Sequence, residues 1–393
     1  MLQPVRRSRT RRGAPIGGGP SHPKGPPAPG GPGAAPPVPG RGGTGEPPAG
    51  PHPRTLPYTV VITALLLTLA AASLAALALG SVRIPTADVI QILTGNADPS
   101  PYRTIVLDVR LPRVILGAAV GAGLAVVGAT LQALVRNPLA DPFLLGVSSG
   151  ASAAAVSVIV LGLGAGMATT VTIPAASFAG AFLALLVVYA LAREPGGGFT
   201  TTRLILAGVA VSYVLAALTS LILVVSARAD HLKEVLYWTL GGLGSARWDM
   251  LSLPLAVLAV GTALLIALAR PLDLLLVGEE GATVLGLDTA RFRAGVFVLT
   301  SLVTGVLVAH SGAIGFVGLM VPHAARMLVG AAHRALLPVA ALMGAVFLVV
   351  ADLAARTVAA PQDIPVGVLT ALTGGPFFLW LLRRGRTREG AEA

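Results

Sequence analysis

Cysteine is missing from this 393-residue sequence, and lysine occurs only as Lys24 and Lys233. Without cysteine there is no disulfide framework and no thiolate metal site. Neither lysine lies in a G-x-x-x-x-G-K-[ST] motif, so the sequence has no P-loop to bind nucleotide phosphates. We therefore expect no cofactor site and no enzyme activity in this chain, and we expect any ATP hydrolysis to belong to another subunit.

Charged residues are scarce as well. They make up 11% of the sequence while 54% of the residues are hydrophobic, whereas soluble domains carry about 25% charged residues. Apolar stretches of about 20 residues, enough to cross a ~30 Å hydrocarbon core, recur along the chain. They lack the alternation of barrel strands. This composition predicts an all-α polytopic membrane protein.

Ten of these stretches are predicted to be transmembrane helices. They span residues 58–80, 114–135, 143–163, 171–192, 203–225, 250–269, 292–309, 315–329, 336–358 and 365–382. Ten crossings place both termini on the same side. The parts assigned to the cytoplasm hold 20 Lys and Arg residues and the other side holds 8, so the positive-inside rule predicts that both termini are cytoplasmic.

The charge is concentrated in the first 57 residues, which carry +7 of the net charge of +11 and are rich in proline and glycine. Such a segment cannot bury a core, and it is predicted to be a disordered cytoplasmic tail. Its arginines are expected to contact anionic lipid, and no nucleic-acid partner is expected. Residues 58–384 would form the transmembrane domain, and residues 385–393 a short cytoplasmic tail.

The longest polar interruption late in the chain is the segment 269–293. Its four acidic residues exclude a membrane span, because each would cost a few kcal/mol or more at the bilayer centre; they are Asp273, Glu279, Glu280 and Asp288. Its many leucines and valines are too apolar for a solvated linker. Pro271 can begin a short helix, Gly278 and Gly286 can interrupt helical structure, and Asp288 can cap the next long helix. The segment is predicted to form two short helices on the face of the membrane domain, where another protein binds.

Two other connections are expected to be loops. Residues 81–113 are predicted to contain one amphipathic helix in an otherwise irregular loop. Residues 226–249 are predicted to be a polar loop with aromatic residues at the membrane interface. Gly117 and Gly121, four residues apart, form a pattern typical of close packing between membrane helices.

An ion-coupled secondary transporter is the alternative from a different class. Such carriers normally keep Asp, Glu or His in the membrane core, and the predicted spans contain almost none. Asp352 and Arg356 are the nearest candidates, and their spacing of four residues predicts a mutual ion pair. This alternative is therefore disfavoured.

Seven sequence motifs resemble the iron–siderophore ABC permease family, which also contains vitamin B12 and haem permeases. They are RLPR at 110–113, NPLADPFLLGVSSGA at 137–151, RLILAGV at 203–209, YWTLGG at 237–242, GAIGFVGLMVPH at 312–323, LLP at 336–338 and DIPVGV at 363–368. They occur in the family's order and cover about residues 58–384.

The resemblance implies a permease subunit with ten membrane helices that pairs with a second permease, either the same chain or a paralogue. P-loop ATPase subunits would dock on the cytoplasmic face, and a substrate-binding protein or lipoprotein on the other side. The expected substrate is a ferric siderophore, imported across the cytoplasmic membrane by alternating access. Cobalamin and haem are the alternatives within the family.

The resemblance also assigns roles to individual residues. The ATPase-coupling loop would comprise Pro271, Leu272, Gly278, Glu279, Glu280, Ala282, Leu285, Gly286 and Leu287. Arg110, Arg113 and Arg356 would pair with carboxylates of the binding protein. Thr201 and Thr202 would form a cytoplasmic gate, although helix capping is an equally good interpretation of two threonines at the start of a span.

Overall fold

A computed structural model describes residues 57–96, 99–163, 169–193 and 200–389. The predicted N-terminal tail, apart from Pro57, lies outside these residues. Their helices are α1 (Tyr58–Ala78), α2 (Thr86–Leu93), α3 (Pro101–Val135), α4 (Val147–Leu161), α5 (Thr169–Ala192), α6 (Thr201–Ser226), α7 (Ala229–Leu240), α8 (Ser252–Ala267), α9 (Ala269–Val277), α10 (Glu279–Val284), α11 (Thr289–Ser311), α12 (Val317–Val329), α13 (His333–Thr357) and α14 (Val366–Glu389).

Seven helices in the described part of the chain are long and apolar enough to cross a membrane. They are α1, α3, α5, α6, α8 with the 3-10 turn before it, α11 and α13. Three shorter apolar helices, α4, α12 and the part of α14 up to Leu381, fall at the other predicted spans. The predicted all-α multi-pass architecture is confirmed at this level.

Helix α3 is the centre of the bundle. It contacts α1, α8, α9, α11, α12 and α13, and its part Leu111–Val135 is buried along nearly its whole length. Its small residues allow this: a methyl group added at Gly121 would overlap the Gly344 carbonyl of α13, and one added at Gly128 would overlap the Gly318 carbonyl of α12. Close backbone approach of this kind provides van der Waals packing between membrane helices. Of the predicted glycine pair, Gly121 lies at the crossing with α13, whereas Gly117 faces Leu243.

The start of α3 differs from the prediction. Residues 101–113 were expected in a loop, but they are helical and continuous with the span. Pro101 lies in the first turn, where proline is well tolerated. Residues Ile105–Arg110 form a π-helical turn just before Pro112, and the wider turn lets the helix pass a proline that cannot donate a hydrogen bond.

A second group of helices packs beside this centre. Helices α4, α5 and α6 contact one another, and α11 joins them to α3. Within the predicted polar loop 226–249, residues Ala229–Leu240 form helix α7, which contacts α4 and α14. The loop prediction was therefore wrong for about half of this connection.

Helices α3 and α13 run side by side in opposite directions, and together they define two ends of the bundle. At one end, α3 begins and α13 finishes, with Arg113 bonded to Asp352. We name it the arginine end after Arg110, Arg113 and Arg356. At the other, α3 finishes and α13 begins beside α9. We name it the α9–α10 end.

Candidate functional site

The segment predicted to bind another protein forms two short helices, α9 and α10. Gly278 separates them with φ of 119°, and Gly286 follows α10 with φ of 87°, a backbone region that glycine adopts at little cost. Helix α9 begins at Ala269, two residues before Pro271. Asp288 caps α11 as predicted, because its side chain accepts a hydrogen bond of 3.1 Å from the Arg291 N–H.

One face of this two-helix element is buried. Leu272 and Leu275 of α9 and Ala282 of α10 are almost inaccessible to solvent. Helix α9 packs on α3, α8 and α13, while α10 packs on α11. Leu287 is half-buried against the same core. These contacts hold the element firmly on the bundle.

The other face of the element exposes large apolar side chains. Val284 is 87% exposed, Val277 71% and Leu285 61%, and Glu280 is exposed beside them. Clustered exposed apolar residues mark surfaces that contact other proteins or the membrane, and the acidic residues of this segment disfavour the bilayer core. The arrangement therefore combines an anchored face with a face suited to a partner.

A polar contact joins α9 to the start of α13. Asp273 Oδ1 accepts hydrogen bonds from the His333 backbone N–H, at 3.0 Å, and from His333 Nδ1, at 2.6 Å. His333 is buried and is the first residue of α13, a helix whose own N-cap, Ala332, makes no side-chain capping bond. Asp273 thus caps α13 from another helix. Hydrogen bonds to a charged group contribute about 1.5–3 kcal/mol to stability. The negative carboxylate also interacts favourably with the positive N-terminal end of the α13 helix dipole.

A second contact joins α10 to α11. Arg293 Nη1 lies 3.2 Å from Glu279 Oε1. The Arg293 side chain is mostly buried and the Glu279 side chain half-exposed. Of the two glutamates in the predicted coupling loop, Glu279 therefore holds α10 in place, whereas Glu280 is exposed.

The turn after α3, at the α9–α10 end, holds a carboxyl group with an unusual proton affinity. Burial raises the pKa of the Asp141 carboxyl to about 6, although a hydrogen bond from the Phe143 N–H partly opposes the shift. That bond, 2.8 Å long, caps the 3-10 turn Pro142–Leu145. Asp141 is therefore protonated at mildly acidic pH in the folded protein.

At the arginine end, Arg110 is buried and bound to the chain itself. Its Nη1 donates a hydrogen bond to the Leu77 carbonyl at 2.6 Å, and its Nη2 donates to the Val82 carbonyl at 2.5 Å. Both acceptors flank the turn at Gly80, against which the guanidinium packs. Arg110 therefore fixes the turn between α1 and α2.

Arg113 and Arg356 share Asp352. Arg113 Nε lies 2.9 Å from Asp352 Oδ1, and Arg356 Nε lies 3.0 Å from Asp352 Oδ2, which confirms the predicted pair of Asp352 and Arg356. Arg113 Nη1 also binds Asp363 Oδ2 at 2.8 Å, and Arg356 Nη2 donates to the Ala76 carbonyl at 3.1 Å. The Arg113 side chain is 12% exposed and Asp363 45%. The exposed part of this cluster is the edge formed by Arg113 and Asp363.

The two predicted gate residues lie at the start of helix α6. Thr201 and Thr202 are its first residues, and Thr202 is exposed. The N-cap position belongs to Thr200, whose side chain makes no capping hydrogen bond. Capping therefore does not account for Thr202.

The FecCD transport family matches residues 52–384 of the sequence. This chain belongs to the FecCD transport family. The cobalamin import system permease of Halobacterium salinarum is 47% identical over 290 residues, which are 74% of this chain and 76% of that protein. The Fe(3+) dicitrate transport permease FecD of Escherichia coli is 36% identical over 320 residues, 81% of this chain and 97% of that protein.

The fold of this FecCD protein also matches a solved structure, a metal-chelate type ABC transporter in an inward-facing conformation. The TM-score is 0.72 and the sequence identity 31%, over 83% of this chain and 99% of that one. Together these matches show that the protein is the permease of an ABC importer and lies in the cytoplasmic membrane as a multi-pass protein.

Sequence reasoning missed several contacts of this FecCD permease. Asp273 was one of four acidic residues in its segment, and nothing in the sequence pointed to His333, 60 residues further on. Asp363 was noticed only as part of a motif, and its ion pair with Arg113 joins residues 250 positions apart. Contacts at such separations depend on how the helices pack.

Proposed function

We propose that this permease imports a metal chelate, a ferric siderophore in the first instance, with energy from separate P-loop ATPase subunits that dock on α9 and α10. The observation that carries the proposal is the exposed apolar face of α9–α10, held on the bundle by a buried face. The sequence has no P-loop of its own, so the ATPase must be another protein. Closure of the ATPase dimer would push on the coupling loop, from Pro271 to Leu287, and switch the bundle between two states.

The proposed topology has ten membrane crossings and both termini in the cytoplasm. The three shorter apolar helices would complete their crossings through irregular segments next to them. Ile314 and Val317, at the start of α12, are fully buried, which supports this because non-helical backbone is tolerated at membrane depth where protein surrounds it. The α9–α10 end would then face the cytoplasm.

Two further partners belong to the proposal. A substrate-binding protein would dock at the arginine end, where Arg113 offers the accessible edge and Arg110 and Arg356 hold the surrounding turns. A second permease would pair along α6 and α14, which expose large apolar residues such as Tyr213, Val224 and Leu372. Thr201 and Thr202 would gate the cytoplasmic mouth of the pathway between the two subunits.

The proposed substrate is based on the names of the relatives. Those named for Fe(3+) dicitrate and iron(3+)-hydroxamate import support a ferric siderophore. Cobalamin is the second candidate, because the Halobacterium salinarum relative named for it is 47% identical. The haemin transport permease of Yersinia pestis is 39% identical. We expect vesicles with the complete transporter to take up iron–siderophore, and uptake of cobalamin alone would contradict this assignment.

The docking proposal is tested by a matched pair of substitutions. Val277 and Val358 are both 71% exposed but lie at opposite ends of the bundle. Val277→Asp places a charge on the proposed ATPase surface, so we expect at least about a tenfold loss of ATPase co-purification, since a charge buried without a partner is costly. Val358→Asp should leave co-purification intact. Equal ATPase binding by both variants would contradict the docking site.

A further inference from the structure

The contact between Asp273 and His333 joins the surface that would receive the ATPase to a helix that reaches the other end of the molecule. The other contacts that hold α9 on the bundle are made by buried leucines such as Leu272 and Leu275. Apolar contacts are not directional, so they hold α9 on the bundle without defining its orientation as sharply as a hydrogen bond does. Two hydrogen bonds from one residue to one carboxylate oxygen fix both position and direction.

Helix α13 connects this contact to the opposite end of the bundle. It has 25 residues, which corresponds to a length of about 37 Å. At its far end, Arg356 binds Asp352 and the Ala76 carbonyl of α1. In its middle, Gly344 lies in backbone contact with Gly121 of α3. A displacement of the start of α13 is therefore passed to the arginine end by a helix that is held at both ends.

His333 is buried in this contact, so separating it from Asp273 takes the hydrogen-bond partner away from a buried backbone N–H and a buried ring nitrogen. A buried polar group without a partner is unfavourable, which keeps the two residues together while the surrounding helices move. We propose that Asp273 and His333 form the joint through which α9 and α13 move as one body, and that Asp273 is a positioning residue for communication between the ATPase and the binding protein. This inference rests on the proposed function of α9–α10.

The test uses the complete transporter in lipid vesicles, with its ATPase subunits and its substrate-loaded binding protein. The measured quantity is the factor by which the binding protein stimulates ATP hydrolysis. In Asp273→Ala the joint is lost, and we expect this factor to fall by about fivefold or more while the ATPase subunits still co-purify. Asp273→Asn keeps an oxygen that can accept from both His333 donors, so it should retain most of the stimulation.

Asp288→Ala is the matched control. It removes a carboxylate from the same segment, but one that caps α11 locally, and we expect little change in the stimulation factor. Undiminished stimulation in Asp273→Ala would overturn the inference, as would loss of ATPase co-purification, which would place Asp273 in the docking surface. If the wild-type complex itself shows no stimulation, the proposed function fails and the inference with it.

A cysteine pair provides a second measurement if Asp273→Ala does not fold. The natural sequence has no cysteine, so Asp273→Cys/His333→Cys introduces the only thiols of this chain. After mild oxidation and confirmation of the disulfide by mass spectrometry, we expect the stimulation factor to return, and reduction with dithiothreitol should lower it again. Stimulation that is blocked by the disulfide would show that α9 and α13 must separate, which would overturn the inference.

Discussion

At the arginine end, charged side chains are buried and paired with one another, whereas at the α9–α10 end large apolar side chains are exposed. Asp352 lies between Arg113 and Arg356 with almost no solvent access, while Val277 and Val284 extend into solvent. A typical folded protein buries its apolar residues and exposes its charges. Each end departs from that arrangement in its own way.

The difference shows that the buried charges of one end are satisfied within this chain, whereas the apolar side chains on α9–α10 are left exposed. Buried charges are tolerated only when their partners are present, and at the arginine end those partners belong to this chain. The exposed valines of α9 and α10 are not covered by other side chains of the described residues. The charges at the arginine end thus form a structural clasp between α1, α3 and α13, and the exposed valines lie at the end where we propose that the ATPase docks. Three predictions test this comparison, from the largest expected effect to the smallest.

Asp352→Ala should destabilise the permease most. It leaves the Arg113 and Arg356 guanidiniums facing each other with little access to water, and breaking a buried pair in this way costs about 3–5 kcal/mol. The control is Asp249→Ala, whose partner Arg247 is exposed and 3.4 Å away, and which should cost less than about 1 kcal/mol. Thermal unfolding in detergent measures both. Similar midpoints for the two variants would contradict the structural clasp.

Asp141 should make stability depend on pH at the α9–α10 end. The folded protein keeps the Asp141 proton up to about pH 6, whereas the unfolded chain loses it near the ordinary pKa of 3.8. Folding therefore takes up a proton between these values, so the free energy of unfolding falls as the pH rises from about 4 to 6, by about 1–3 kcal/mol. Asp141→Asn should remove that part of the pH dependence, as measured by denaturant unfolding in micelles at several pH values. An unchanged slope would show that the carboxyl is not shifted.

Val284→Ser should have the smallest effect on the permease by itself. Val284 packs on little of the chain, so its replacement should change the free energy of unfolding by less than about 0.5 kcal/mol. The same substitution at Val308, which is fully buried in α11, should cost at least about 1 kcal/mol. Thermal unfolding of the isolated permease in detergent compares them. A large loss for Val284→Ser would mean that α10 is part of the core and not an open interface.

Much of the fold followed from local sequence. The positions of the long spans, the two short helices after residue 268, the glycines that separate them and the Asp288 cap all depend on residues within a few positions of one another, and they were predicted. The helical start of α3 was missed because residues 81–113 were interpreted as one loop with a single short helix, whereas residues 101–113 continue into the span through a π-helical turn. Helix α7 was missed because its polar residues resemble those of a loop.

The contacts of the candidate site residues were predicted less completely than the helices. Leu272 and Val277 have the same apolar chemistry, yet one is buried and the other 71% exposed, so hydrophobicity could not distinguish anchor from interface. The pairing of the three arginines with a binding protein stays a prediction, and the hydrogen bonds from Arg110 and Arg356 to carbonyls of this chain were not predicted, because they depend on contacts in the folded chain.

The sequence by itself determined that this is a helical membrane protein, that it contains no P-loop motif and that two short helices follow residue 268. Hydrophobicity, helix capping and a phosphate-binding motif are local properties, which explains why they can be recognised in one dimension. The tertiary structure decided that α3 is the centre, that Asp352 joins two arginines and that Asp273 caps a helix 60 residues away. These contacts arise where helices pack through small residues, and the geometry of that packing sets which distant side chains meet.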